Sequence, residues 1–324
     1  MTHSPLAQAI YTAAQDCGFD NCGIIPLTDL EGFQARYDER LERIPQSGHF
    51  YRNVESITQT PQQFPWAKSM IVLTTWLGKY RFPASLEGLY GKAFLLSASS
   101  DRSSAPYQEK LRFEQWLTDQ GLRWAGGDTC GHTKVGPMRY AAVQAGLGIF
   151  RKNNFFYTEK GSWVELEGYV IDRECTLKHT CSLPPCPDGC TLCQRACPTR
   201  ALCAPYTMNP LACVSFWNTF GGGNLPPQLP ELALGQWLCG CDACQDACPH
   251  NRHDWSQGEP FPGLEELADF LQPESLLEAA TEELAQRACP KSADHIVPQQ
   301  AETFRVNAQR VLHNRAAFQA MQRR

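Results

Sequence analysis

The chain has 324 residues, 43% of them hydrophobic and 19% charged, with a formal charge of −5. That composition suits a folded chain long enough for two domains and excludes a uniformly basic nucleic-acid binder. The first residues lack the basic-then-apolar order of a signal peptide, and no apolar run nears the ~20 residues of a membrane span, so a cytoplasmic protein without a membrane partner is expected.

In chain order, residues 4–18 place Leu6, Ile10, Ala13, Ala14 and Cys17 on one helical face, and Gly18 ends the helix. Cys22–Ile25 follows as a short apolar strand, and a charged helix is predicted over 28–44. SMIVLTTWL at 69–77 is short, apolar and β-branched, the mark of a buried strand. Residues 80–106, rich in Gly, Ser and Ala, read as a loop-heavy excursion. A helix over 107–120 stops at Gly121, before a strand near Leu122–Ala125. Residues 126–136 hold four glycines and no apolar period, so they form a loop.

A helix over Pro137–Ala145 ends at Gly146. FFYT (155–158) and WVELEGYVID (163–172) read as a hairpin around Lys160-Gly161. Helices interleaved among about five strands give the fold class α+β. After Cys175 the chain turns cysteine- and proline-rich. Short helices are expected after the cysteine runs, and a loop over 221–230. The last ~70 residues read as helical, with Leu264, Leu267 and Phe270 on one stripe and a final helix over 301–322. The expected domains are 1–175, mixed α and β; 176–255, built on cysteines; and 256–324, helical.

Sixteen cysteines are too many to be incidental, and they cluster at ligand spacing, which points to metal and not to disulfides. CTLCQRACPTRAL and CDACQDACPHN repeat C-x2-C-x3-C-P. This is the spacing of bacterial two-cluster ferredoxins, where the last cysteine of each run ligates the other run's cluster. The short spacers let backbone amides turn toward the cluster sulfurs, and iron in such clusters is soft enough to prefer thiolate.

Two departures stand out. The first run opens with Cys186-x3-Cys190, one residue longer than usual. The second has Leu238 where its leading cysteine is expected, with Cys239 one residue later and Cys213 upstream. The assignment is Cys186, Cys190, Cys193 and Cys248 to cluster one, and Cys197, Cys213, Cys241 and Cys244 to cluster two. Structural zinc also uses C-x2-C pairs, but two copies of C-x3-C-P favour iron. Cys239 reads as a spare thiol. Cys17, Cys22, Cys130, Cys175, Cys181, Cys203 and Cys289 read as buried or incidental thiols.

The segment AVQAGLGIFRKNNFFYTEKGSWVELEGYVID (142–172), with the cysteine runs and NPLACVSFWNTF, resembles the cobalamin-dependent epoxyqueuosine reductases of tRNA queuosine synthesis. Reductive dehalogenases resemble it more distantly. CGFDNCGI (17–24), GHFYRN (48–53) and SMIVLTTW extend the likeness to residues 5–255. The resemblance implies a nitroreductase-like, corrinoid-binding domain, then a two-[4Fe-4S] ferredoxin-like domain and C-terminal helices. It implies cobalamin as a cofactor beside the two [4Fe-4S] clusters. It further implies an external low-potential ferredoxin or flavodoxin as electron donor, and a modified-nucleoside or other small-molecule substrate, with tRNA as its carrier.

Gly146, Gly148, Lys152, Asn153, Asn154, Gly161, Ser162 and Trp163 match the family's corrinoid surface. AGLG also reads as a helix C-cap and tight turn, which needs glycine regardless of any ligand. The D-x-H-x-x-G motif of other corrinoid proteins is absent. Aligned from AGLG, His132 falls at the family's catalytic aspartate, with Asp128 four residues earlier. Histidine can donate a proton near neutral pH; His132 also reads as an ordinary polar loop residue. Lys134, Arg139 and Tyr140 are further polar candidates. Arg305, Arg310, Arg315, Arg323 and Arg324 make the end basic, as a solvated face or a phosphate contact. The alternative function is a non-catalytic electron carrier for a partner enzyme. Such a carrier has no need of a ~170-residue α/β domain.

Overall fold

The computed structural model describes residues 4–98, 102–127 and 135–323. The chain divides into two compact units, one of residues 1–76 and 105–188, the other of 77–104 and 189–324.

The first unit begins with α1 (Pro5–Asp16). The Ser4 hydroxyl accepts the Ala7 amide at 3.2 Å, Pro5 sits in the first turn, and Ala7, Ile10, Ala13 and Ala14 are buried. Gly18, at φ +89°, closes the helix where a Cβ would collide with the Glu109 carboxylate. β1 (Asn21–Pro26), β2 (Ser69–Trp76), β3 (Trp124–Gly126) and β4 (Val164–Ile171) form one antiparallel sheet in the order β1-β2-β4-β3. The register pairs Ile24 with Ile71, Val72 with Gly168 and Ala125 with Val170.

Alternate residues of each strand point to opposite faces. Ile24, Ile71, Leu73, Tyr169 and Ile171 pack in one core with α1 and with Phe113 and Leu117 of α3 (Ala105–Asp119). Ile25, Met70, Val72 and Val170 pack in the other with Met138, Ala141 and Ala142 of α4 (Met138–Gln144). Both faces are covered, which is why β2 reads as an unbroken apolar run.

Two expectations need correction. The helix predicted over 28–44 is a 3-10 turn, Leu27–Leu30, followed by α2 (Phe33–Arg43). The break falls at Gly32, which lies under the Tyr140 hydroxyl where a Cβ would crowd it. The hairpin across Lys160-Gly161 does not form as expected either. Phe156–Tyr157 pairs with Ile149–Phe150. Both edges of β4 are taken by β2 and β3, so only the Thr158–Gly161 bridge remains of the predicted turn.

The domain boundaries also differ from the expected 1–175, 176–255 and 256–324. Within the second unit, Tyr80–Arg81 pairs in parallel with Glu259–Pro260, and the Tyr90 hydroxyl donates to the Leu271 carbonyl at 2.8 Å. The excursion is therefore built into the same body as the cysteine runs and the last helices. α8, the last helix of the chain, is Glu302–Gln322, close to the predicted span. The 264–270 stripe is shifted: Leu264, Ala268 and Leu271 are buried, while Leu267 and Phe270 are half-buried.

Part of the basic end turns inward. Asn307 is fully buried and donates to the carbonyls of Asn218 and Leu238, each at 2.8 Å. Arg310, 5% exposed, donates to the Trp237 carbonyl at 2.7 Å. Arg305 pairs with Glu302, and Arg315 with Glu274. A solvated face and a phosphate contact both misdescribe Arg310. Among the described residues, no helix is long and apolar enough to cross a membrane.

Candidate metal centre

The two cysteine runs supply short helices, α5 (Leu192–Ala196) and α7 (Ala243–Asp246), which pack on each other. After α5 the chain becomes extended at Cys197, and the Ala201 amide donates to its sulfur at 3.2 Å. Upstream of α6 (Val214–Asn218), the Asn209 side chain accepts the Leu211 amide and shapes the 3-10 turn Pro210–Ala212. That turn delivers Cys213 to the start of α6, where the amides of Ser215 and Phe216 donate to its sulfur. The Ala243 amide does the same for Cys241.

Burial pushes the thiols of Cys213, Cys241 and Cys244 above their ordinary value, and neighbouring thiols push further. Cys213 feels Cys197; Cys241 feels Cys213 and Cys197; Cys244 feels Cys241, Cys213 and Cys197. These four sulfurs therefore converge. Cys213, Cys241 and Cys244 resist ionisation until a cation answers them, and bound iron deprotonates a thiol outright. Four soft donors with amides aimed at three of the sulfurs fit an iron–sulfur cluster. Among the described residues, no three His, Cys, Asp or Glu side chains are grouped to hold a single metal ion.

Asp242 lies between Cys241 and Cys244 and accepts both the backbone N–H of Lys92, at 2.8 Å, and its ammonium, at 3.2 Å. Burial pushes the Asp242 carboxyl up to about 6 against the pull of Lys92. Cys239 is elsewhere. It is fully buried, bridged to Tyr90, and the thiol it feels is Cys289.

In the first unit, the leading cysteine is gripped by the chain just before the KNN stretch. Arg151 Nη1 is 3.8 Å and the Lys152 amide 3.5 Å from the Cys186 sulfur. Arg151 Nη2 donates to the Pro184 carbonyl at 3.1 Å, and Lys152 Nζ to the Pro187 carbonyl at 2.8 Å.

The residues matched to a corrinoid surface are engaged in the packing of their own unit. Gly146, at φ +73°, faces the His179 carbonyl, and Gly148 faces the Tyr157 carbonyl; a Cβ on either would collide. Asn153 is buried and donates to the Tyr157 hydroxyl at 2.8 Å. Asn154 is left-handed at φ 68°, and its carbonyl accepts Arg139 at 2.7 Å. Gly161, Ser162 and Trp163 are buried. For Gly146, Gly148, Asn153 and Asn154 these contacts are structural ones made within the first unit itself. His132, Asp128, Lys134, Cys130 and Arg324 lie outside the described residues.

Sequence reasoning missed Arg151, Lys92 and Asp242. Asp242 had a signal, since it sits between two ligands. Lys92 had none, because its partner is 150 residues away.

Residues 186–251 match the family described as the 4Fe-4S double cluster binding domain, so this segment takes two [4Fe-4S] clusters. An epoxyqueuosine reductase of Cellulophaga algicola is 29% identical over 269 residues, covering 80% of this chain and 82% of that protein. The solved structure of epoxyqueuosine reductase from Streptococcus thermophilus superposes with a TM-score of 0.70 at 18% identity, over 96% of this chain and 82% of that one. A crystal structure of epoxyqueuosine reductase with an epoxyqueuosine-modified tRNA-Tyr stem loop gives 0.66 at 21%, over 95% and 81%. At such identities the two structures establish the fold.

Proposed function

We propose that the protein is an iron–sulfur reductase of the epoxyqueuosine reductase kind. It takes electrons singly from a low-potential ferredoxin or flavodoxin and delivers them to a modified nucleoside carried on tRNA. The observation that carries this reading is the convergence of Cys213 with Cys197, Cys241 and Cys244. Cys213 lies outside both C-x2-C-x3-C-P runs, and the arrangement with an upstream fourth cysteine is what the family resemblance implies. Cys186, Cys190, Cys193 and Cys248 complete the proposal as ligands of the other cluster. Similarity over four fifths of the chain and of its relative, 80% and 82%, makes it an oxidoreductase. It speaks against a bare electron carrier, which needs no sheet domain.

The resemblance extends the proposal to a corrinoid, which when bound supplies a strongly reducing two-electron centre. Support for it comes from the motif match and not from free contacts of Gly146, Gly148 or Lys152–Asn154. The substrate needs a proton donor, and His132 is proposed for it, with Asp128 as the second choice. The tRNA carrier is proposed by likeness to the stem-loop complex.

The test is anaerobic reconstitution with iron, sulfide and cobalamin, followed by assay on an epoxyqueuosine-containing stem loop. Turnover and a base-off corrinoid band are expected. Full iron without that band removes the corrinoid from the proposal. His132→Ala is expected to keep clusters and cobalamin and to lose turnover; full activity moves the role to Asp128 or solvent.

A further inference from the structure

Arg151 is 1% exposed. A guanidinium so buried is costly unless opposite charge answers it. Among the described residues, its partners include no carboxylate. The Pro184 carbonyl accepts Nη2 at 3.1 Å, the Tyr157 ring centre lies 5.3 Å from the guanidinium carbon, and Nε has no hydrogen-bond partner. The one partner able to carry negative charge is the Cys186 sulfur, 3.8 Å from Nη1. The neighbouring Lys152 amide is aimed at the same sulfur, 3.5 Å away.

We infer that Arg151 sets the reduction potential of the cluster ligated by Cys186, by holding a fixed buried positive charge against that ligand sulfur. The inference rests on Cys186 being a cluster ligand. Reduction adds one negative charge to a cluster. A nearby cation and N–H donors on the sulfur stabilise the reduced form more than the oxidised form, and so raise the potential. The effect is strong where water is excluded, because the charge is poorly screened. Arg151 is thus a tuning residue, acting through Cys186.

The experiment is a potentiometric titration of the full-length, reconstituted holoprotein, followed by electron paramagnetic resonance. Arg151→Met is expected to move cluster one to a more negative potential and to leave cluster two in place. Arg151→Lys, which keeps a charge, is expected to give a smaller shift. Unchanged potentials in Arg151→Met overturn the inference, as do equal shifts of both clusters, which report general repacking. Where Arg151→Met does not hold cluster one, Arg151→Gln decides, since it keeps a donor and drops the charge; its cluster-one potential has to fall. Loss of cluster one in both variants overturns the inference too, because the residue is then a strut. Failure of the ligand reading shows separately, as Cys186→Ser retaining all its iron.

Discussion

Lys92 Nζ stands 3.2 Å from Asp242 Oδ2, with the two side chains only 7% and 3% exposed. The same ammonium reaches Asp246 at 3.1 Å. The pair ties the 77–104 excursion to the turn between Cys241 and Cys244. Removing one member strands the other charge away from water. Lys92→Met is expected to destabilise the protein by about 3–5 kcal/mol. Lys92→Met/Asp242→Asn together are expected to cost less than the sum of the singles. Thermal unfolding of the reconstituted protein checks this, and strict additivity would show the pair to be uncoupled.

Cys213 and Cys239 are rival candidates for the place of the missing leading cysteine at Leu238. Cys213 lies with Cys197, whereas Cys239 lies with Cys289. Cys213→Ser is expected to lose about half the iron, one cluster of two, and Cys239→Ser to keep it all. Iron analysis after anaerobic reconstitution decides, and the reverse pattern transfers the role to Cys239.

Cys175 tests the core of the first unit. Burial pushes its thiol up from 9.0 to about 11. A raised folded-state value means that folding favours the protonated thiol. Its contribution is therefore fully present below 9.0 and is lost as pH rises through about 11. Denaturant unfolding over that window is expected to show falling stability, with a smaller fall in Cys175→Ala. The native thiol is also expected to resist iodoacetamide at neutral pH, since the thiolate is the reactive form. Rapid labelling would contradict the burial.

Gly146 separates a structural from a cofactor role. At φ +73°, with the His179 carbonyl where a Cβ would go, Gly146→Ala combines a left-handed alanine with a backbone collision. A loss of about 2 kcal/mol or more is expected, and it should appear in protein lacking any corrinoid. Unchanged stability of cofactor-free Gly146→Ala would return the glycine to a ligand-binding role.

Arg310 is held by burial to about 10, below its ordinary value, and donates to Asn307 at 2.6 Å. Arg310→Ala is expected to lower the melting temperature. The proposed affinity for a tRNA stem loop and its salt dependence should stay unchanged, since only the loss of a phosphate contact would reduce the salt slope. A weakened, salt-shifted affinity at normal stability would reverse this assignment.

Local order determined much of the chain. Ser4, Pro5 and the apolar spacing of Ile10, Ala13 and Ala14 specify α1; the β-branched run at 69–77 specifies a buried strand; and the cysteine spacing specifies iron–sulfur chemistry. Each signal repeats within a few residues, so it is written in the sequence itself. Gly32 and the short strand at Phe156–Tyr157 misled it, because what breaks the helix and what pairs with the strand are neighbours in space. The sequence and the family resemblance already set Cys213 with Cys197, Cys241 and Cys244 and left Cys239 aside; only the tertiary structure decided that residues 77–104 belong with the cysteine runs and that Arg151 faces Cys186. Those relations join positions far apart in the chain through single contacts, and a single contact leaves no period to read.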